Sequence, residues 1–151
     1  MATRTTLVSL EGVQLASFRA AIEELLNKNV DGMVILVPIS SAAFFVDMMA
    51  DKLPMVRFEP GLDNGTTSVS VDEVTGARIA TRHLLELGHK SVWHVAGLDG
   101  WLGTEARILG WREELAAAGI PAPAPLIGDW SSESGFEAGG YRRCNRGIRR
   151  Q

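Results

Sequence analysis

The sequence predicts an α/β fold of parallel sheets flanked by helices, and three observations predict it. Short β-branched runs alternate with stretches whose apolar residues recur every three or four positions. One run, Met33 to Val37, is apolar throughout, as a strand covered on both faces requires. Gly88 and Gly119 stand just past two helical stretches, where a left-handed residue ends a helix. Strands and helices alternating in this way build a parallel sheet with helices on its faces.

The elements follow in order. Thr5 to Leu10 reads as a strand. Leu15, Phe18, Ile22, Leu25 and Leu26 share one face of a helix, and the Met33 to Val37 strand follows. Ser40 or Ser41 can cap a helix through about Asp51, and Pro54 opens a strand from Met55 to Phe58. Glu59 to Gly65, with Pro, two Gly, Asp and Asn, is a loop. Thr67 to Val71 is the next strand, and Asp72 is placed to cap a helix from Glu73 to Leu87. Ser91 to Ala96 is a strand leading into the glycine-rich loop Gly97 to Gly103. Ile108, Trp111, Leu115 and Ala118 form the stripe of a helix from Thr104 to Ala118. Pro121, Pro123 and Pro125 lead to a brief strand at Leu126 and Ile127, and Ser131 caps a last helix.

Composition narrows the function. The 151 residues are 46% apolar and 22% charged, as in an ordinary globular chain. The apolar stretch from Met33 to Pro38 falls far short of the ~20 residues of a membrane span. The single cysteine, Cys144, makes no internal disulfide and fits a reducing compartment, and no signal peptide follows Met1. The net charge of −3 is uneven: Tyr141 to Gln151 holds five arginines and no acid, which leaves 10 basic against 18 acidic residues elsewhere. A body at −8 argues against wholesale phosphate binding. The tail reads either as a small nucleic-acid or membrane-surface patch or as an end with no role.

Catalytic patterns fail. Gly97-Leu-Asp-Gly-Trp-Leu-Gly precedes a helix, but its G-x-x-G-x-x-G spacing matches neither the dinucleotide fingerprint nor the P-loop. His83, His89 and His94 lack clustered carboxylates, so no metal site is expected. No serine sits in a nucleophile elbow, and Cys144 has no evident base. No catalytic residue and no cofactor is therefore predicted.

Two features point to binding. Arg107 falls in the first turn of the 104–118 helix, where the macrodipole disfavours a cation, and near the crevice where α/β folds take ligands. A solvated Arg107 paired with Glu105 or Glu113 is the plain alternative. Trp130 follows a strand, with Trp101 in the preceding loop; exposed tryptophans there suit a flat ligand face such as a sugar ring. A tryptophan closing the edge of the core is equally common.

Several motifs in order then resemble one family. They are Val71-Asp-Glu-Val-Thr-Gly-Ala-Arg-Ile-Ala-Thr-Arg-His-Leu-Leu-Glu-Leu-Gly-His-Lys, Val95-Ala-Gly, Ala106-Arg-Ile-Leu-Gly-Trp and Gly128-Asp-Trp-Ser-Ser-Glu-Ser-Gly-Phe. With Val30-Asp-Gly-Met-Val-Ile-Leu-Val-Pro upstream, they resemble the lactose-repressor (LacI/GalR) family of bacterial transcription regulators over about Thr5 to Gly139.

The resemblance implies an incomplete two-lobed fold similar to periplasmic sugar-binding proteins. Residues 1–90 would be a partial first lobe, 91–140 the start of the second and 141–151 an atypical basic tail. It implies sensing of a small-molecule effector, a sugar or similar, by a cytoplasmic regulator that is not an enzyme. The parent would be a homodimer that meets DNA only through a helix-turn-helix missing here, with no membrane partner. Arg107 corresponds to an arginine that hydrogen-bonds ligand hydroxyls, and Trp130 to an aromatic of the same pocket. Thr75 stands where some members have an acid, with Asp72 close by, and Trp101 completes the ligand-binding candidates. The family pattern stops after Gly139, so Tyr141 to Gln151 is expected to be foreign, as from a shifted reading frame. A fragment of a periplasmic sugar-binding protein and a small α/β enzyme are the alternatives.

Overall fold

A computed structural model describes residues 4–10, 14–36, 39, 42, 45–46, 48–49, 52–58 and 67–147, the last seven as backbone only. Val37, Ser40, Ser41, Asp51, the 59–65 loop and the end of the tail lie outside the described residues. The chain forms two compact units, Met1–Ser70 and Val71–Gln151. The sequence reading draws its boundary after residue 90 instead.

In the first unit, α1 (Leu15–Asn27) precedes β1 (Met33–Leu36), β2 (Met55–Phe58) and β3 (Ser68–Val69). The sheet is parallel, in the order β1-β2-β3, with Met33 opposite Met55 and Arg57 opposite Ser68. Phe18 and Ile22 supply the buried face of α1, and Asn29, at φ 50, turns the chain beyond it. Ala42, Phe45, Val46, Met48 and Met49 are helical, within the helix expected to run through about Asp51.

Two expectations fail here. Thr5 to Leu10 joins no ladder among the described residues, and Leu7 is 92% exposed. A β-prone run becomes a strand only where a neighbour completes its hydrogen bonds. β1 is not covered on both faces either: Met33 and Ile35 are buried, whereas Val34 and Leu36 are 75% and 66% exposed. An apolar run shows what a strand could bury; burial itself depends on the layers that pack on it.

The second unit holds α2 (Glu73–Glu86), β4 (Val95–Ala96), α3 (Leu102–Ala117), β5 (Leu126–Ile127) and α4 (Ser132–Gly147). β4 and β5 pair in parallel, Val95 opposite Leu126 and Ala96 opposite Ile127. β4 is shorter than the predicted 91–96 strand because only its last residues have β5 beside them. Gly88 and Gly119, at φ +89 and +70, end α2 and α3 as predicted.

α2 and α3 pack closely. A Cβ at Gly110 would run into the Val74 carbonyl oxygen, so only glycine admits this approach. Charges join the same two helices: Arg82 Nε lies 2.7 Å and Arg78 Nε 3.2 Å from the Glu114 carboxylate. The Arg82 hydrogen bond leads in drawing the Glu114 carboxyl down to about 2, against burial, with Arg78 adding to the effect. Below them Val92, Trp111 and Leu115 form a core extended by Leu85, Ile108 and Ile120. Trp111 anchors it by donating from Nε1 to the Val92 carbonyl at 3.0 Å. Ala118, expected on this stripe, is exposed.

Candidate functional site

β4 and β5 run parallel and in register, so the loops that follow them leave from one edge of the sheet. That geometry brings together two segments separated in sequence. Trp101 stands at the N-cap position of α3, at the end of the first loop and without a side-chain capping bond, and Trp130 follows β5 by three residues. Their ring centroids lie 6.3 Å apart with planes tilted by 52°. Gly97 permits the meeting, because a Cβ there would collide with the Trp130 ring.

Trp130 has a left-handed backbone, φ 69, which costs a residue with a side chain about 1–2 kcal/mol. The turn around it supplies the compensation. Asp129 Oδ1 accepts from Ser131 N at 2.9 Å, and Ser131 Oγ accepts from Ser134 N at 3.1 Å, capping α4 as predicted. Ser134 Oγ in turn accepts from Asp129 N at 3.2 Å. Hydrogen bonds from Ser131, with Ser134 adding to them, bring the Asp129 carboxyl to about 2. Trp130 is thereby presented with 59% of its surface exposed, and so does not close the edge of the core.

Arg107 lies beside it, its guanidinium carbon 5.6 Å from the centre of the Trp130 ring. Its Nη1 is 2.9 Å from Glu73 Oε1, the side chains being 31% and 25% exposed. Two expectations change as a result. α3 begins at Leu102, two residues earlier than the spacing predicts, so Arg107 stands in the second turn. The dipole acts mainly on the first turn, so its objection to a cation there weakens. The partner is also Glu73, not Glu105 or Glu113; Glu113 faces Arg78 at 3.8 Å.

Asp72 and Thr75 are occupied nearby. Asp72 Oδ1 caps α2 by accepting from Thr75 N at 2.9 Å, which holds the Asp72 carboxyl below its ordinary value. Both are exposed, flanking Glu73 at the start of α2. The structure thus brings Arg107, Trp130 and Trp101 together, and joins Asp72 and Thr75 to each other.

Sequence reasoning missed three contributors. Glu73 is remote from Arg107 in sequence and carries only the signal of a first-turn acid. Thr104, 2% exposed, has its Oγ1 buried without a partner among the described residues, as do Trp101 Nε1 and His94 Nε2. His94 stacks on Trp111 at 5.4 Å, and burial, then the charge of Arg107, pushes its pKa below the ordinary 6.5. Both effects favour its neutral form. Trp101, Thr104 and Arg107 recur at three-residue steps along α3 and so share one side of its first turns.

A separate open cavity of about 340 Å³, lined among others by Glu105, Leu109, Arg112 and Ile127, includes none of these residues. Among the described residues no group of His, Cys, Asp or Glu could hold a metal ion. Among the described residues, no helix is long and apolar enough to cross a membrane.

Comparison with known proteins adds a family. Residues 5–136 match the family described as periplasmic binding proteins and sugar binding domain of LacI family. The chain is 28% identical over 133 residues to the lactose operon repressor of Escherichia coli (strain K12), spanning 87% of this chain and 36% of that protein. It is similar to the Lac repressor bound to ONPG in the repressed state, with TM-score 0.78 and 27% identity, over 91% of this chain and 42% of that one. The CelR–cellobiose complex gives TM-score 0.65 and 27% identity, over 82% of this chain and 39% of that one. The chain thus spans well under half the length of these relatives.

Proposed function

The chain belongs to the family of periplasmic binding proteins and LacI-type sugar-binding domains, and on that premise we propose that it is the effector-sensing portion of a LacI-type transcription regulator. The effector is a sugar-like small molecule, bound where Arg107, Trp130 and Trp101 meet. One observation carries this reading. A half-buried guanidinium lies over the largely exposed Trp130 indole, and the start of the helix that carries it also holds Trp101 Nε1 and Thr104 Oγ1, two buried polar atoms without partners among the described residues. A planar fork of donors suits adjacent hydroxyls, and the indole suits the flat apolar face of a sugar ring.

The two units are read as the opening parts of two lobes, with Val71 beginning the second. Asp72 and Thr75 stay in the proposal as neighbours of Glu73 at the rim. The parent is read as a cytoplasmic homodimer that engages DNA through a separate helix-turn-helix. Ligand would shift its population between states in so far as it binds one of them better. A binding role, not catalysis, is favoured because the family consists of regulators and sugar-binding domains.

The test is a tryptophan-fluorescence titration of the chain with glucose, lactose and cellobiose. A saturable change that Arg107→Ala abolishes supports the reading. No response to any probe, and no rise in melting temperature with them, overturns it.

A further inference from the structure

Arg107 carries a positive charge that a carboxylate already meets. Glu73 takes one of its nitrogens at 2.9 Å. Asp72 and Asp129, the chain neighbours of Glu73 and Trp130, are both held ionised by hydrogen bonds from their own turns. Burial and the charge of Arg107 both disfavour the cationic form of His94. One carboxylate thus meets the guanidinium, and the residue before each of its two partners, Glu73 and Trp130, is also a carboxylate.

We propose that Glu73 is a positioning residue that determines specificity: by fixing Arg107 and cancelling its charge, it makes the site take a neutral polyhydroxy ligand in preference to an anionic one. This rests on the reading of the Arg107–Trp130 corner as a sugar site and assigns the charge class of its ligand. An unpaired arginine would hold a phosphate or carboxylate bidentately, and such charge-assisted bonds are the stronger ones. With Glu73 on Nη1, an anion has to displace a carboxylate already in place. A hydroxyl needs only the donors that remain and meets no like charge. Two features keep Glu73 in position. It opens α2, where the helix dipole favours an anion, and the close packing at Gly110 fixes α2 against α3.

The experiment compares wild type, Glu73→Gln and Glu73→Asp. Each is titrated with glucose and cellobiose and with glucose 6-phosphate and glucuronate, by tryptophan fluorescence. Wild type is expected to prefer the neutral sugars. Glu73→Gln should shift the ratio of anionic to neutral affinity at least tenfold toward the anions, and Glu73→Asp should restore much of the preference. A second readout needs no ligand. Removing the carboxylate exposes His94 to the full charge of Arg107, so the His94 midpoint followed by NMR should fall in Glu73→Gln and rise in Arg107→Ala. An unchanged affinity ratio, or a His94 midpoint indifferent to Glu73→Gln, overturns the role of Glu73 while leaving the sugar site standing. Binding that Arg107→Ala does not weaken, or a wild type that takes no probe of either class, overturns the sugar site and the role of Glu73 together.

Discussion

Arg107 on α3 and Glu73 at the start of α2 meet at 2.9 Å, with the Trp130 ring beside the guanidinium. The pair joins the two helices at the end where the βα loops emerge, as Glu114 with Arg78 and Arg82 does further along.

The coupling between these two residues should be modest. Both side chains retain a quarter to a third of their exposure, so water screens the pair. A double-mutant cycle of Glu73→Gln and Arg107→Ala, read by urea unfolding, is expected to give about 0.5–1 kcal/mol. A value near zero would show that the two charges do not act on each other in solution.

Gly110 should tolerate nothing larger. In Gly110→Ala the new methyl meets the Val74 carbonyl and lies 3.1 Å from the Ala77 Cβ, and backbone cannot swing away as a side chain can. Overpacking of this kind costs about 1–3 kcal/mol, with the upper end expected here. Chemical denaturation measures it, and an unchanged midpoint would contradict the tight helix contact.

Gly97→Ala separates site from stability. The added Cβ displaces the Trp130 ring, which is mostly exposed and contributes little to the core. Melting temperature should fall only slightly, while tryptophan emission shifts and the response to sugar is lost. A retained sugar response would remove Trp130 from the site.

Stability should decline in two steps as pH falls. His94 has its pKa lowered in the folded chain from 6.5, so the unfolded chain takes up that proton at a higher pH. The contribution is therefore complete above 6.5 and is lost as pH drops through the folded value. His94→Gln should flatten this first step. Glu114 and Asp129 fall from 4.5 and 3.8 to about 2 on folding, so their contributions are full above those ordinary values and are lost toward pH 2. Urea midpoints from pH 8 to pH 3 would show both steps, and a flat profile would refute them.

Local chemistry was legible in the sequence. Asp72 and Ser131 cap their helices, Gly88 and Gly119 end theirs, and β5 falls on the two predicted residues, because each depends on neighbours a few positions away. The α/β class and the family followed from alternation and motif order. What depended on distant chain was not legible. Thr5 to Leu10 lacks a ladder, Val34 and Leu36 lack cover, and Arg107 found Glu73 on another helix instead of a neighbour on its own. At the site, Trp101, Trp130 and Arg107 were visible by residue type. Thr104 and His94 became notable only through burial, which no local pattern encodes.

The left-handed backbone at Trp130 sets stability and recognition against each other at one position. Trp130→Gly would relax the turn and give up the ring. A library of variants screened only for soluble yield should therefore drift to glycine or asparagine at this position, whereas one screened for effector response should keep the indole. The residue recovered at position 130 would reveal which of the two pressures had acted.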